Sequence, residues 1–143
     1  MKVKIFYDGI DFRLKGWKKI RDLIVRVISE EGNFSGDLNF ILADDNAILN
    51  INRQFLNHNW FTDVISFNYG EEEKFGEVYI SVDTVRINAL NYNVSYKREI
   101  LRVMIHGTLH ICGYEDDTER KKLKMHERED YWLNIFDKSD NGA

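Results

Sequence analysis

Apolar residues fall at two different spacings along the chain, and each change of spacing predicts where a strand gives way to a helix. Residues 2–7 alternate and are rich in Val, Ile, Phe and Tyr, which predicts a strand. Over about 14–30 the spacing lengthens, so that Trp17, Ile20, Leu23, Ile24, Val27 and Ile28 share one face of a helix, with Gly32 just beyond its end. Residues 36–43 predict a second strand, and Asp44-Asp45-Asn46 offers cap chemistry for a helix running to about Phe55. The polar and aromatic stretch Asn57-His58-Asn59-Trp60-Phe61 predicts a loop. Strands are predicted over 64–69 and 76–81, joined as a hairpin by the acidic turn Gly70-Glu71-Glu72-Glu73. Three helical stretches follow, at about 82–92, 96–111 and 118–136, and residues 137–143 are expected to fray. The order β-α-β-α-β-β-α-α-α predicts an α+β fold with a four-stranded mixed sheet and about five helices, all in one domain over 1–143.

Composition narrows this picture. With 143 residues, 43% of them hydrophobic, the chain is long enough to enclose a proper core without staples. A single cysteine, Cys112, rules out an intrachain disulfide and makes the cytoplasm the expected compartment; its place on the predicted helix reads as a small core residue. No run approaches the roughly 20 apolar residues that a membrane span needs, so no membrane partner is expected. The net charge is −4, from 20 basic and 24 acidic residues, and gives no global attraction for nucleic acid. Three basic clusters, Lys15/Lys18/Lys19/Arg21, Lys97/Arg98/Arg102 and Arg120/Lys121/Lys122/Lys124, are interleaved with Asp22, Glu99 and Glu119. They read as solvated helix faces in preference to an RNA track.

The chemistry concentrates between Met104 and Asp117. His106 and His110 lie four apart on a predicted helix, which brings their imidazoles onto one face with Cβ atoms about 5–6 Å apart. Such a pair alone is more often packing or plain surface. Here Gly113 permits a left-handed stop, and the reversed chain then carries Asp116 back toward both rings. Two nitrogens and a carboxylate oxygen suit Zn²⁺, with a fourth position left for water, as in catalytic zinc sites. The spacing 106, 110, 113, 116 is that of the metzincin run H-x-x-x-H-x-x-G-x-x-H with Asp116 in place of the third histidine, so the segment reads as a metzincin-like metal-binding helix. Metzincin proteases place a glutamate directly after the first histidine as general base. Gly107 stands there instead, and a peptidase reading loses its base. Glu115 and Asp117 suit either a base or the turn before Thr118, and Met125 reads as packing.

The run His106-Gly107-x-x-His110-Ile111-x-Gly113-Tyr114 resembles the YbeY family of bacterial endoribonucleases, whose signature is H-G-x-L-H-L-x-G-Y-D-H. Upstream, Asn52-x-x-Phe55 followed by Thr62-Asp63-Val64-Ile65-Ser66-Phe67 is similar to the family's N-x-x-[YF]-R…P-T-[ND]-V-L-S-F, and Gly76-Glu77-Val78-Tyr79-Ile80 to its G-D-I-x-I strand. The resemblance implies a zinc-dependent, single-strand-specific endoribonuclease that matures the 3′ end of 16S ribosomal RNA and serves ribosome quality control. It implies one Zn²⁺ per chain on His106, His110 and Asp116, catalysis through that ion and its water, and ribosomal RNA or the small ribosomal subunit as partner. Asp63, Ser66 and Thr62 are candidates to line a substrate cleft, although entry to a strand accounts for them equally, and His58 is a candidate phosphate contact or plain loop surface.

Two positions depart from the family pattern. Asp116 replaces the third histidine, and the arginine expected before the proline-threonine pair falls on Leu56, with Phe61 at the proline. Losing that guanidinium removes a natural phosphate clamp. Two other readings therefore stand beside the nuclease: a metal-dependent hydrolase of another substrate class, and a non-catalytic ribosome assembly factor.

Overall fold

The structure is a computed structural model that describes residues 1–56, 63–69 and 75–141. Four strands, β1 (Val3–Tyr7), β2 (Asp37–Ala43), β3 (Val64–Asn68) and β4 (Phe75–Ser81), form one sheet in the order β1-β2-β4-β3. β1, β2 and β4 run parallel, with Phe40 opposite Ile5 and Val78, while β3 returns antiparallel at the edge with Ser66 opposite Val78. Among the described residues five helices accompany the sheet: α1 (Trp17–Glu31), α2 (Asp45–Leu56), α3 (Val82–Tyr92), α4 (Tyr96–Ile111) and α5 (Glu119–Asn141). The α+β mixed-sheet fold expected from the hydrophobic pattern is the one observed.

Alternation along the strands sorts the sheet into two unlike faces. Leu38, Phe40, Leu42, Val78 and Ile80 point into the main core, where they meet Ile20, Ile24 and Val27 of α1, Met104, Ile105 and Leu109 of α4, and Trp132 of α5. Among the described residues the opposite face packs against α2, through Ile48 and Ile65 with Phe67 and Tyr79. Helix α4 is the centre of the core. Ten of its residues are buried, and it touches α1, α3, α5, β3 and β4.

Helix boundaries follow local chemistry. Asp44 caps α2 by accepting from the Ala47 amide at 2.9 Å, Ser81 caps α3 through Thr84, and Ser95 caps α4 through Arg98. The first helix begins at Trp17 instead of near residue 14, because Gly16 sits at φ +75°, outside helical space. The last begins at Glu119, with Thr118 outside it accepting from the Lys121 amide. It continues to Asn141, into the 137–143 stretch expected to fray, and an Arg98–Asp137 bond of 2.6 Å ties its last turns to α4. The predicted turn 70–73 lies outside the described residues.

Candidate metal centre

Helix α4 ends in a way that builds the site. Gly113, at φ +103°, takes the left-handed position after the last turn. Its amide donates to the His110 carbonyl at 3.0 Å, and the Tyr114 amide donates to the Leu109 carbonyl at 3.0 Å, the double closure of a Schellman motif. The chain is thereby turned back along the helix end, and Asp116 Oδ2 comes to 3.4 Å from His110 Nε2 and 3.5 Å from His106 Nε2. The two Nε2 atoms are 3.0 Å apart. Among the described residues these three side chains form the one group of donors close enough to share an ion, all within 4.8 Å.

The outer nitrogens decide which atoms face the centre. His106 Nδ1 lies 2.7 Å from Glu129 Oε2, and His110 Nδ1 lies 2.9 Å from the Tyr114 carbonyl. Burial pushes the Glu129 carboxyl up, but its bond and charge contact with His106 and the Arg102 guanidinium outweigh this and hold it below the usual carboxylate range. Glu129 and the carbonyl accept, so each histidine donates from Nδ1 and directs its Nε2 toward the other ring and the Asp116 carboxylate. Three atoms able to ligate a cation, two ring nitrogens and a carboxylate oxygen, converge there. A cation of zinc's ligand preference fits this donor set.

Neighbouring elements position the rings. Gly107 lets α4 lie hard against β4: a Cβ there would stand 2.6 Å from Val78 Cγ1 and 3.2 Å from Ser66 Oγ. A glutamate in the protease-base position has no room, which gives the absent base a packing cause. Edge strand β3 clamps the same helix, Ser66 Oγ donating to the Gly107 carbonyl at 3.2 Å and Asn68 Nδ2 to the Ile111 carbonyl at 3.3 Å. On the far side the Tyr114 hydroxyl donates to Glu31 Oε1 at 2.8 Å, while Trp132 Nε1 and Arg128 Nε donate to Glu31 Oε2 at 2.7 and 2.9 Å. This cluster anchors the turn whose carbonyl orients His110.

The three donors lie in a cleft of about 640 Å³ whose walls include Asn52, Leu56, Asp63, Ser66, Tyr114 and Glu115. Asp63 lines it with Oδ2 taken by Asn88 at 3.1 Å and Arg102 Nη2 at 3.9 Å, and Ser66 lines it with its hydroxyl donated to α4. Leu56 is on the wall, and His58 and Thr62 lie outside the described residues. No lysine or arginine is among the described residues that line the cleft. Sequence reasoning missed Glu129, Arg102, Glu31 and the Tyr114 carbonyl. Arg102, placed there on a solvated basic face, is instead held between Glu99, at 2.5 and 2.8 Å, and Glu129, at 3.0 Å. No signal along the chain marked these residues, since charged positions on a helix read alike until the partner helix is known. Cys112 is buried as expected, and burial with the nearby Glu31 charge pushes its thiol up to about 12.

Comparison with known proteins places this geometry. The family described as endoribonuclease YbeY matches residues 8–137. The endoribonuclease YbeY of Flavobacterium psychrophilum is 42% identical over 132 residues, covering 92% of this chain and 94% of its own. That of Chlorobaculum tepidum is 43% identical over 115 residues, covering 80% and 84%. A solution structure of a protein from Thermotoga maritima matches with a TM-score of 0.65 at 28% identity, over 94% of this chain and 88% of that one.

Proposed function

The chain belongs to the endoribonuclease YbeY family, and on that premise we propose that it is a zinc-dependent endoribonuclease of single-stranded ribosomal RNA, acting at the 3′ end of the 16S molecule and in ribosome quality control. The observation that carries the reading is the convergence of His106 Nε2, His110 Nε2 and Asp116 Oδ2 within 4.8 Å at an open cleft. When bound, the ion supplies a lowered pKa for water and neutralises phosphate charge. The residues do the rest. His106, His110 and Asp116 hold the ion, Glu129 and the Tyr114 carbonyl fix the two rings, and Asp63 and Ser66 border the substrate path. Thr62 is proposed as a substrate contact because it falls in the family motif, and His58 as a phosphate contact because its ring can carry positive charge.

The lack of a lysine or arginine among the described lining residues bears on the mechanism, because little else there answers a phosphodiester's charge. Among the described lining residues that leaves the task to the ion. Since a carboxylate replaces an imidazole, a His₂Asp site with Zn²⁺ has net charge +1 against +2 for three histidines, so cleavage is expected to be slow and wholly cation-dependent.

Elemental analysis of the purified protein, with cleavage of single-stranded ribosomal RNA in the presence and absence of chelator, tests this. One zinc per chain, its loss in His110→Ala, and cleavage abolished by chelator are expected. Equal zinc in both proteins would sink the site. Leu56, on the cleft wall in place of the arginine, favours a second reading in which the protein binds ribosomal subunits without cutting. Co-sedimentation with the small subunit in a strain whose 16S 3′ ends stay normal on deletion would select it.

A further inference from the structure

The cation site has a support on the last helix that its three ligands do not reveal. Glu129 lies on α5, 1% exposed, with Oε2 2.7 Å from His106 Nδ1 and Oε1 3.0 Å from Arg102 Nη1. Arg102 is in turn fastened to Glu99, also 1% exposed. We propose that Glu129 is a positioning residue for the metal site, fixing the His106 ring with Nδ1 protonated and Nε2 bare and aimed at the ion. The inference rests on reading His106, His110 and Asp116 as cation ligands.

Two features of the geometry separate this role from ordinary core packing. The first is donor and acceptor matching. Glu129 meets two donors, a ring N–H and a guanidinium N–H, with two acceptor oxygens. An amide of the same shape accepts at one end only and presents its own N–H to a donor at the other. The second is charge. Glu99 and Glu129 place two buried carboxylates against one guanidinium, and Asp63 adds a third negative group 3.9 Å from Arg102. His126, which is largely exposed, stands 3.7 Å from Glu129 Oε1. Arg102 alone does not balance these carboxylates, and the His106 ring lies against one of them. A cation on Nε2 supplies the missing positive charge, and the carboxylate makes the imidazole a stronger donor to it.

Glu129→Gln tests the proposal, with Glu99→Gln as a control that alters the same arginine cluster without touching His106. In metal-free wild type, at a pH where the ring is neutral, ¹⁵N shifts are expected to show His106 protonated at Nδ1. In Glu129→Gln the proton shifts substantially to Nε2, and zinc affinity, read by competition with a chromophoric chelator, falls about 10–100-fold with the circular dichroism spectrum retained. Glu99→Gln is expected to lower the melting temperature while leaving the tautomer and the affinity within about threefold of wild type. Unchanged tautomer and affinity in Glu129→Gln overturn the proposal. So does a wild-type His106 protonated at Nε2, a result that needs no variant to fold. If wild type binds no zinc, the cation reading fails on its own, and the tautomer still decides what Glu129 does.

Discussion

Gly107 shows how much a single position settles. Placed directly after His106, it has no room for a Cβ, because Val78 Cγ1 would lie 2.6 Å away across the helix–sheet contact. Gly107→Ala forces α4 off β4 or Val78 out of its rotamer, and is expected to destabilise the fold by about 1–3 kcal/mol, the usual range for overpacking; urea denaturation measures it. Cys112 makes a complementary case. Buried, with its thiol pushed up to about 12, it is expected to react with a disulfide reagent only as fast as the chain opens, so labelling in native buffer should be far slower than in urea. The sequence told against a protease base at Gly107 and for a core cysteine. The packing cause of the first stayed hidden, because Val78 meets Gly107 only once β4 and α4 are in place.

Among the elements, α4 carries the site and its neighbours hold it still. The helices were largely legible because their signals are local: Asp44 as a cap, glycines at 32 and 113 as stops, apolar residues at helical spacing, while the serine caps at 81 and 95 went unread. What stayed illegible depends on two elements meeting. Arg102 and Glu129 read as solvated charge along their own helices, and the closeness of α5 to α4 turns them into a buried pair. Glu31 is of the same kind, at the end of α1 and read by Tyr114, Arg128 and Trp132 together. Burial pushes its carboxyl up, but the bonds from Trp132, Arg128 and Tyr114 outweigh this and hold it below its ordinary value of 4.5. A depressed carboxylate contributes stability that is fully present above its unfolded pKa and is lost as pH falls through the folded one. Glu31→Gln is therefore expected to lower stability at neutral pH and to flatten the loss of stability below about pH 4.5, the unfolded-state value assumed for this group. Thermal melts of both proteins between pH 3 and 7 check the sign.

At the scale of the whole molecule, helices crowd one face of the sheet and leave the other mainly to α2, while the net charge is −4. An RNA-cutting enzyme of this charge, with no lysine or arginine among the described cleft residues, cannot draw its substrate in by a broad basic field. Its RNA affinity is expected to depend shallowly on salt, with a slope matching about one or two released counterions, and to collapse when the cation is removed. Filter binding across a salt series, with and without chelator, measures both. A steep slope that survives chelation would place the RNA on the surface basic clusters instead. The family and its fold were readable because they rest on short motifs and alternating patterns, whereas the cleft's charge balance is a property of the assembled walls.

The three proposed ligands, His106, His110 and Asp116, all come from one short stretch of chain. The loop that an ion closes across them is correspondingly small, so little closure entropy separates the folded site from the same segment in an unfolded chain. With these residues as ligands, the denatured protein is expected to keep a weak chelating hook. Zinc then stabilises the fold only by the ratio of its affinities for the two states, and the melting temperature should climb with added metal and level off instead of rising with every further tenfold. The height of that plateau measures what the rest of the molecule adds to the hook: the turn held by Glu31 and the carboxylate that α5 brings to His106.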